Sequence, residues 1–200
     1  MANSRKNPTP DLRSYEVLVT VCGGIAAFKV CDVVSTLAQR GCGTTVAMTE
    51  AATRFVGPTT FQALTGRRVF TSLWHAEDVV DVHHIGLPER ADLVLVAPAT
   101  ANIVGKVAAG IADDLVSTLL MSLDSPVLFA PAMNERMWAN PVTQRNVTAL
   151  TDLGHRFIGP GEGWLACRTV GAGRMAEPTE IVDEVTTMLE RNPPKAAAPS

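Results

Sequence analysis

The sequence predicts an α/β domain of three layers, with a parallel sheet between helices, of the flavodoxin-like or Rossmann-like class. Three observations lead to this prediction. Short apolar runs of strand length alternate with segments whose apolar residues recur at helical spacing. The runs are continuously apolar, as in strands that helices cover on both faces. The chain has 200 residues, which favours a single domain.

The apolar runs predict five strands, at 16–22, 44–48, 93–97, 127–130 and 155–158. The first run, EVLVTVC, is rich in β-branched residues and ends in Gly23-Gly24, which is typical of a buried strand before a turn. A first helix is predicted to begin at Ala27 and to stop at Gly41. Further helices are predicted at 51–55, 58–64, 140–153 and 178–189. Two more are predicted after Asn102 and after Gly110, the second with Asp113 and Asp114 in its first turn. The segment 159–173 contains five glycines and is predicted to be a loop.

One folded domain is predicted over residues 15–190, between a flexible N-terminal segment, 1–14, and a flexible tail, 191–200. The N-terminal segment is polar, contains two prolines and lacks the apolar core of a secretory signal. The tail ends in NPPKAAAPS, a composition typical of a linker.

Composition and charge exclude several classes of protein. Hydrophobic residues make up 46% of the chain, enough to bury a sizeable core, so wholesale disorder is excluded. The net charge is −3 and no basic stripe is present, which argues against a nucleic-acid-binding protein. The longest apolar runs are about half of what a membrane span needs. Charged residues are 18%, a low fraction that is compatible with buried interfaces between subunits.

The four cysteines, Cys22, Cys31, Cys42 and Cys167, form no CxxC pair and show no metal-ligand spacing with histidine. Because no secretory signal is found, we expect reduced thiols in a cytoplasmic protein without a metal. Cys31 and Cys42 are expected to be small buried residues. Cys167 lies among glycines in the predicted loop, where burial is a weaker expectation.

Polar and glycine residues follow the predicted strands at the edge where parallel sheets bind ligands. The turn Gly23–Ala26 lies between a strand and a helix, so its N–H groups can receive an anion such as a phosphate. Thr49, Thr100 and Asn102 follow the next two strands and could complete a phosphate or ring site. Each is also a common helix cap, and the turn matches neither GxGxxG nor a Walker loop. A tight turn without a ligand therefore stays an alternative.

Two further segments carry unusual chemistry. The string PAMNERMW, residues 131–138, places an amide, two thioethers and an indole directly after a predicted buried strand. A hydrophobic clasp that holds the loop down is the alternative interpretation. Of the adjacent pair His83 and His84, at most one should face inward, and a lone histidine is more often structural than catalytic.

These motifs together resemble the flavin-containing cysteine decarboxylase family. The resemblance rests on PAMNERMW, HHIGL (83–87), APATANIVGKVAAGIADDL (97–115) and GWLACRTVGAGRM (163–175), and it extends from about Tyr15 to Leu189. It departs from the family at Phe28, where tyrosine is common, and at Arg168, where glycine usually follows the cysteine.

The resemblance implies an FMN cofactor and assigns roles to individual residues. The implied FMN-binding residues are Gly23, Gly24, Ile25, Ala26, Thr49, Phe55, Ala99, Thr100 and Asn102. The implied active-site histidine is His84. The residues implied to contact substrate are Asn134, which would hold a carboxylate, Met137, Ala166 and Cys167, whose thiol would donate a proton from a flap.

The implied reaction is the FMN-dependent decarboxylation of 4′-phosphopantothenoylcysteine to 4′-phosphopantetheine in coenzyme A biosynthesis. A cysteinyl carboxylate leaves poorly, because its loss would create an unstabilised carbanion. Oxidation of CH2–SH to a thioaldehyde places a C=S bond β to the carboxylate, so that loss of CO2 gives a stabilised enethiolate. No side chain performs this two-electron oxidation, which explains the need for a flavin.

The resemblance also implies a homotrimer, or a dodecamer of trimers, with His84 and the Asn134 loop reaching FMN from different chains. Three alternative functions stay open. The first is oxidative decarboxylation of a peptide C-terminal cysteine, as in lantibiotic biosynthesis, which needs no returning proton and therefore no Cys167. A flavin prenyltransferase is more distant, since it lacks PAMNERMW. A flavin-binding regulatory subunit of a phosphatase is typical of relatives with long acidic tails.

Overall fold

The computed structural model describes residues 11–74, 83–124, 127–166 and 168–195. Within them a parallel sheet of six strands has the order β3-β2-β1-β4-β5-β6. The strands are β1 (Glu16–Val21), β2 (Gly43–Met48), β3 (Val69–Phe70), β4 (Leu93–Ala99), β5 (Val127–Pro131) and β6 (Arg156–Phe157). Every neighbouring pair in this sheet is parallel.

The described residues contain nine helices, which connect the strands and cover the sheet. They are α1 (Ala27–Gln39), α2 (Glu50–Thr53), α3 (Pro58–Thr65), α4 (His83–Arg90), α5 (Ala101–Ala108), α6 (Leu115–Met121), α7 (Glu135–Trp138), α8 (Pro141–Asp152) and α9 (Pro178–Glu190).

Two hydrophobic clusters lie on opposite faces of the sheet and make the three layers. Alternate residues of β1 face opposite ways, as strand geometry requires. Val17 and Val19 pack in the cluster that contains the apolar faces of α1 and α9. Leu18 packs in the other cluster, with residues of α5 and α6. Because both faces are covered, the central strands are continuously apolar, and the predicted three-layer α/β fold is confirmed.

The predicted strands are confirmed to within a few residues at their ends, but several local expectations were wrong. The strand β3 was missed because two residues carry no periodicity. The segment 159–173 is not all loop: β7 (Gly161–Trp164) and β8 (Val170–Arg174) form an antiparallel hairpin. Its glycines hid the alternation that marks a strand.

Short helices were also missed. Residues 83–90 form α4, where only a segment before a strand was expected, and 135–138 form the single turn α7. Asp114 lies one residue before α6 instead of in its first turn, where it forms a capping box with Ser117.

The packed part of the chain extends slightly beyond residues 15–190. Leu12 is fully buried, and its N–H donates to the Arg40 carbonyl at 3.1 Å. At the other end, the Lys195 N–H donates to Asp92 Oδ1 at 2.5 Å. Cys42 is buried as expected, whereas Cys31 is only partly buried. Within the described ranges, no helix has the length and apolar character that a membrane crossing requires.

Candidate functional site

A cleft of about 1300 Å³ opens at the carboxyl edge of the parallel sheet. Its walls come from the segments that follow β1, β2, β4 and β5, and from the β7–β8 hairpin. This is the edge at which the sequence predicted a ligand. The predicted residues that line it are Gly23, Gly24, Ile25, Ala26, Thr49, Phe55, Thr100, Asn102, Asn134, Met137 and Ala166.

The turn Gly23–Ala26 forms one end of the cleft. Gly23 has no room for a Cβ atom, which would collide with the side chain and backbone of Ala51. Among the described residues, the Ile25 and Ala26 N–H groups donate no hydrogen bond. These two donors sit at the start of α1, where the helix dipole also favours an anion.

Thr49 and Thr100 cap helices that begin at the cleft. The Thr49 hydroxyl accepts the Ala52 N–H at 3.2 Å, and the Thr100 hydroxyl accepts the Ile103 N–H at 3.4 Å. The cap interpretation of both residues is therefore confirmed. A hydroxyl that accepts a bond still carries a proton to donate, so each cap can also serve a ligand in the cleft.

Apolar side chains form the wall beside the turn. Ile25 and Phe28 are each 57% exposed and Phe55 is 49% exposed, although all three are large hydrophobic residues. A planar aromatic ligand would cover such surfaces, because half-exposed apolar groups gain free energy when a ring removes them from water.

The Asn134 loop forms the opposite wall. Asn134 Oδ1 accepts the Arg136 N–H at 2.8 Å and so caps α7, an interaction that orients the side-chain amide. Met137 is 48% exposed and lines the same cleft. No residue of α7 is buried, whereas Ala132, earlier in the same segment, packs against the core.

Two backbone hydrogen bonds hold this loop in place. On one side the Ala132 N–H donates to the Ala99 carbonyl at 3.0 Å, and on the other the Met133 N–H donates to the Gly173 carbonyl at 3.0 Å. Gly173 has a φ of +149° and lies against the Met133 carbonyl, with no room for a Cβ atom. Ala99 is itself fully buried in β4 and does not line the cleft.

The floor of the cleft contains a charged cluster and a thiol. Lys106 Nζ lies 2.5 Å from Asp113 Oδ1 and 2.6 Å from Asp114 Oδ2. The neighbouring Cys22 is buried, and desolvation, followed by the charge of Asp114, raises the pKa of its thiol to about 12. Cys22 therefore stays protonated at neutral pH and offers no nucleophile.

The structure does not describe the side chains of two predicted site residues. Cys167 lies outside the described residues, and His84 belongs to α4 but its side chain is not described. The next residue after the cysteine, Arg168, has a φ of +63°. A left-handed conformation costs a non-glycine residue about 1–2 kcal/mol, which explains why glycine suits this position.

Several residues that line the cleft were missed from the sequence, namely Lys29, Arg54, Lys106, Met133, Trp164 and Arg174. Lys106, Met133, Trp164 and Arg174 lie inside the quoted motifs, and that position was the signal that could have identified them. Nothing in the sequence marked Lys29 and Arg54 as residues of a site, because a basic residue on a helix is ordinarily exposed to solvent.

The fold and the cleft define an α/β protein that binds a phosphorylated, ring-bearing ligand at the carboxyl edge of its sheet. The profile of the Flavoprotein family matches residues 5–190, and the chain belongs to this family.

The chain is also similar to proteins of known identity. It is 47% identical over 171 residues to the coenzyme A biosynthesis bifunctional protein CoaBC of Bacillus subtilis (strain 168), a match that covers 86% of this chain and 42% of that protein. The chain thus spans less than half the length of that relative.

The chain also matches two solved structures over almost the whole length of those proteins. One is a cysteine-to-serine mutant of PPC decarboxylase complexed with pantothenoylaminoethenethiol, with a TM-score of 0.79, 30% identity, and coverage of 88% of this chain and 98% of that chain. The other is the FMN-dependent cysteine decarboxylase SpaF, with a TM-score of 0.76, 30% identity, and coverage of 90% and 98%.

The cleft fits a flavin mononucleotide on its own chemistry. The N–H groups of Ile25 and Ala26, which have no partner in the described part of the chain, suit a phosphate, and the hydroxyls of Thr49 and Thr100 can donate to it. The half-exposed apolar wall suits the ring system.

The close approach of Gly23 to Ala51 yields a prediction. A Gly23→Ala substitution should displace α2, and Thr49 with it, because the added methyl group meets backbone atoms. Overpacking of this kind costs about 1–3 kcal/mol, so the affinity for FMN should fall about tenfold or more. Fluorescence titration of the flavin-free protein with FMN measures this affinity.

The matched control is Gly57→Ala, since Gly57 precedes α3 with an ordinary φ of −70° and open space around its Cα. This variant should bind FMN like the wild type. Equal FMN affinities for the two variants would show that the packing of Gly23 does not shape the site.

Proposed function

We propose that this chain is an FMN-dependent decarboxylase that converts 4′-phosphopantothenoylcysteine to 4′-phosphopantetheine in coenzyme A biosynthesis. One observation carries the proposal: the anion-binding turn Gly23–Ala26 and the oriented amide of Asn134 line the same cleft. Membership of the Flavoprotein family and the similarity to CoaBC and PPC decarboxylase support it.

The residues that would hold FMN are the turn Gly23–Ala26, Thr49, Thr100, Asn102 and Phe55. When bound, the flavin supplies the two-electron oxidation of the cysteinyl CH2–SH group and later returns the two electrons. The chain itself binds and orients the substrate and moves its protons.

Asn134 is the group proposed to bind the substrate carboxylate. Its Oδ1 accepts the Arg136 N–H, and its NH2 group is the kind of hydrogen-bond donor that binds a carboxylate. A neutral amide holds a carboxylate without a full positive charge. It therefore stabilises the ground state less than an arginine or lysine would, and loss of CO2 is easier.

His84 and Cys167 are proposed to move protons. His84 would accept a proton while the substrate is oxidised. Cys167 would donate a proton to the enethiol carbon after CO2 has left, from a glycine-rich flap able to exclude water. The solved cysteine-to-serine mutant of PPC decarboxylase that holds an enethiol supports a cysteine in this step.

The test of the function is direct. The purified protein, loaded with FMN, is incubated with 4′-phosphopantothenoylcysteine, and the products are identified by mass spectrometry. CO2 and 4′-phosphopantetheine are expected. Release of CO2 from a peptide that ends in cysteine, with no turnover of 4′-phosphopantothenoylcysteine, would instead favour the alternative of a peptide cysteine decarboxylase.

His84→Asn should retain FMN and lose turnover, because an amide cannot accept the proton at neutral pH. FMN absorbance and the rate of CO2 release measure the two properties separately. The neighbouring variant His83→Asn is the control and should remain active. Near-normal activity of His84→Asn together with loss of activity in His83→Asn would contradict the assignment.

Cys167→Ser should release CO2 but accumulate the enethiol, which is two mass units lighter than 4′-phosphopantetheine, with the flavin left reduced. A serine hydroxyl is a far weaker acid than a thiol, so the final protonation fails while the earlier steps proceed. Mass spectrometry and the flavin spectrum report the outcome. Wild-type yields of 4′-phosphopantetheine would mean that Cys167 is only a small packed residue.

We also propose that the chain acts as a homotrimer, alone or assembled into a dodecamer. The half-exposed Ile25, Phe28 and Phe55 beside the cleft support a site that a second chain helps to cover. Sedimentation of a flavin-loaded monomer would contradict this. The cytoplasmic location and the lack of contact with nucleic acid or membrane stay predictions from the sequence.

A further inference from the structure

We infer that Glu177 is a positioning residue for decarboxylation: it holds Lys29 and Arg174 so that neither cation binds the carboxylate that must leave. The inference rests on the proposed function and adds to it a residue that neither the motifs nor the proposed chemistry had used.

The charges around the cleft motivate it. Among the described residues, four basic side chains line the cleft, and each lies within ion-pair distance of a carboxylate of the same chain. The pairs are Lys29 with Glu177 (3.3 Å), Arg174 with Glu177 (2.5 Å), Arg54 with Glu50 (3.6 Å), and Lys106 with Asp113 (2.5 Å) and Asp114 (2.6 Å). Four cations thus face four carboxylates, and their formal charges cancel.

Glu177 is the carboxylate that serves two of these cations. Its Oε2 lies against Lys29 of α1 and its Oε1 against Arg174 at the end of β8. The residue also begins α9, where its N–H donates to Glu180 Oε2 at 2.8 Å. The start of a helix therefore fixes the carboxylate that holds both cations.

The two cations line the same cleft as Asn134, the proposed carboxylate site. Arg174 follows Gly173, whose carbonyl accepts the N–H of Met133, and Met133 precedes Asn134. Arg174 is thus separated from Asn134 by one backbone hydrogen bond and one residue on each side. Lys29 contacts the other carboxylate oxygen of Glu177 and lines the same cleft.

A free cation here would oppose the reaction. The substrate carboxylate carries a full charge before CO2 leaves and loses that charge in the transition state, so a cation stabilises the ground state more than the transition state. Substrate would bind more tightly and react more slowly. Lysine and arginine side chains are long enough to turn toward a carboxylate once their own partner is removed.

The test is the Glu177→Gln variant of the FMN-loaded protein, assayed with 4′-phosphopantothenoylcysteine. KM and kcat should both fall, each by about fivefold, the size of an exposed ion pair. The inhibition constant of 4′-phosphopantetheine, which lacks the carboxylate, should stay unchanged. Loss of packing alone would weaken the binding of substrate and product together.

Two further variants complete the test. Glu180→Gln alters the same helix start but releases no cation of the cleft, and its KM and kcat should equal those of the wild type. Adding both Lys29→Met and Arg174→Met to Glu177→Gln removes the two released cations, so KM and kcat should rise again toward the wild-type values.

The outcomes are distinguishable. This inference alone is overturned if the wild type is active and Glu177→Gln behaves like Glu180→Gln. It is likewise overturned if the wild type is active and Glu177→Gln binds substrate and product equally poorly. A wild-type protein that releases no CO2 overturns the proposed function and this inference with it.

Discussion

The burial of β1 and β4 on both faces is the constraint on which the rest of the structure depends. β1 pairs with β2 on one side and with β4 on the other, and helices cover both faces of all three strands. The three strands run parallel, and parallel neighbours must be joined by connections, usually helices, that cross back over the sheet. The segments after the strands therefore gather at one edge, and the cleft forms there.

The same constraint explains why capping residues and candidate ligand-binding residues coincide. Each helix that follows a strand begins at the carboxyl edge, so its N-terminal N–H groups need acceptors at the place where a ligand would bind. Thr49 and Thr100 supply acceptors with their hydroxyls, while Ile25 and Ala26 have none among the described residues. The helix with the unpaired donors is the one whose start suits an anion.

The position of Asn134 depends on the hairpin as well as on the sheet. One backbone hydrogen bond ties its loop to β4 and another ties it to β8. Gly173 permits the second contact, because its left-handed φ and its missing Cβ let β8 approach the backbone of the loop. The Asn134 loop and the β7–β8 hairpin thus form one packed unit, to which Arg174 and Glu177 are joined.

The sequence by itself determined the order of the five predicted strands and the helices between them, the buried runs and eleven residues of the cleft, because hydrophobic period and sequence motifs are local. Val17, Leu18 and Val19 show this, since an unbroken apolar run can only be covered on both faces. Only the tertiary structure decided that β3 joins the sheet, that the glycine-rich segment is a hairpin, and that Lys29 meets Glu177. Lys29 and Glu177 lie 148 positions apart in the sequence, and no local pattern predicts which distant charges the folded sheet brings together.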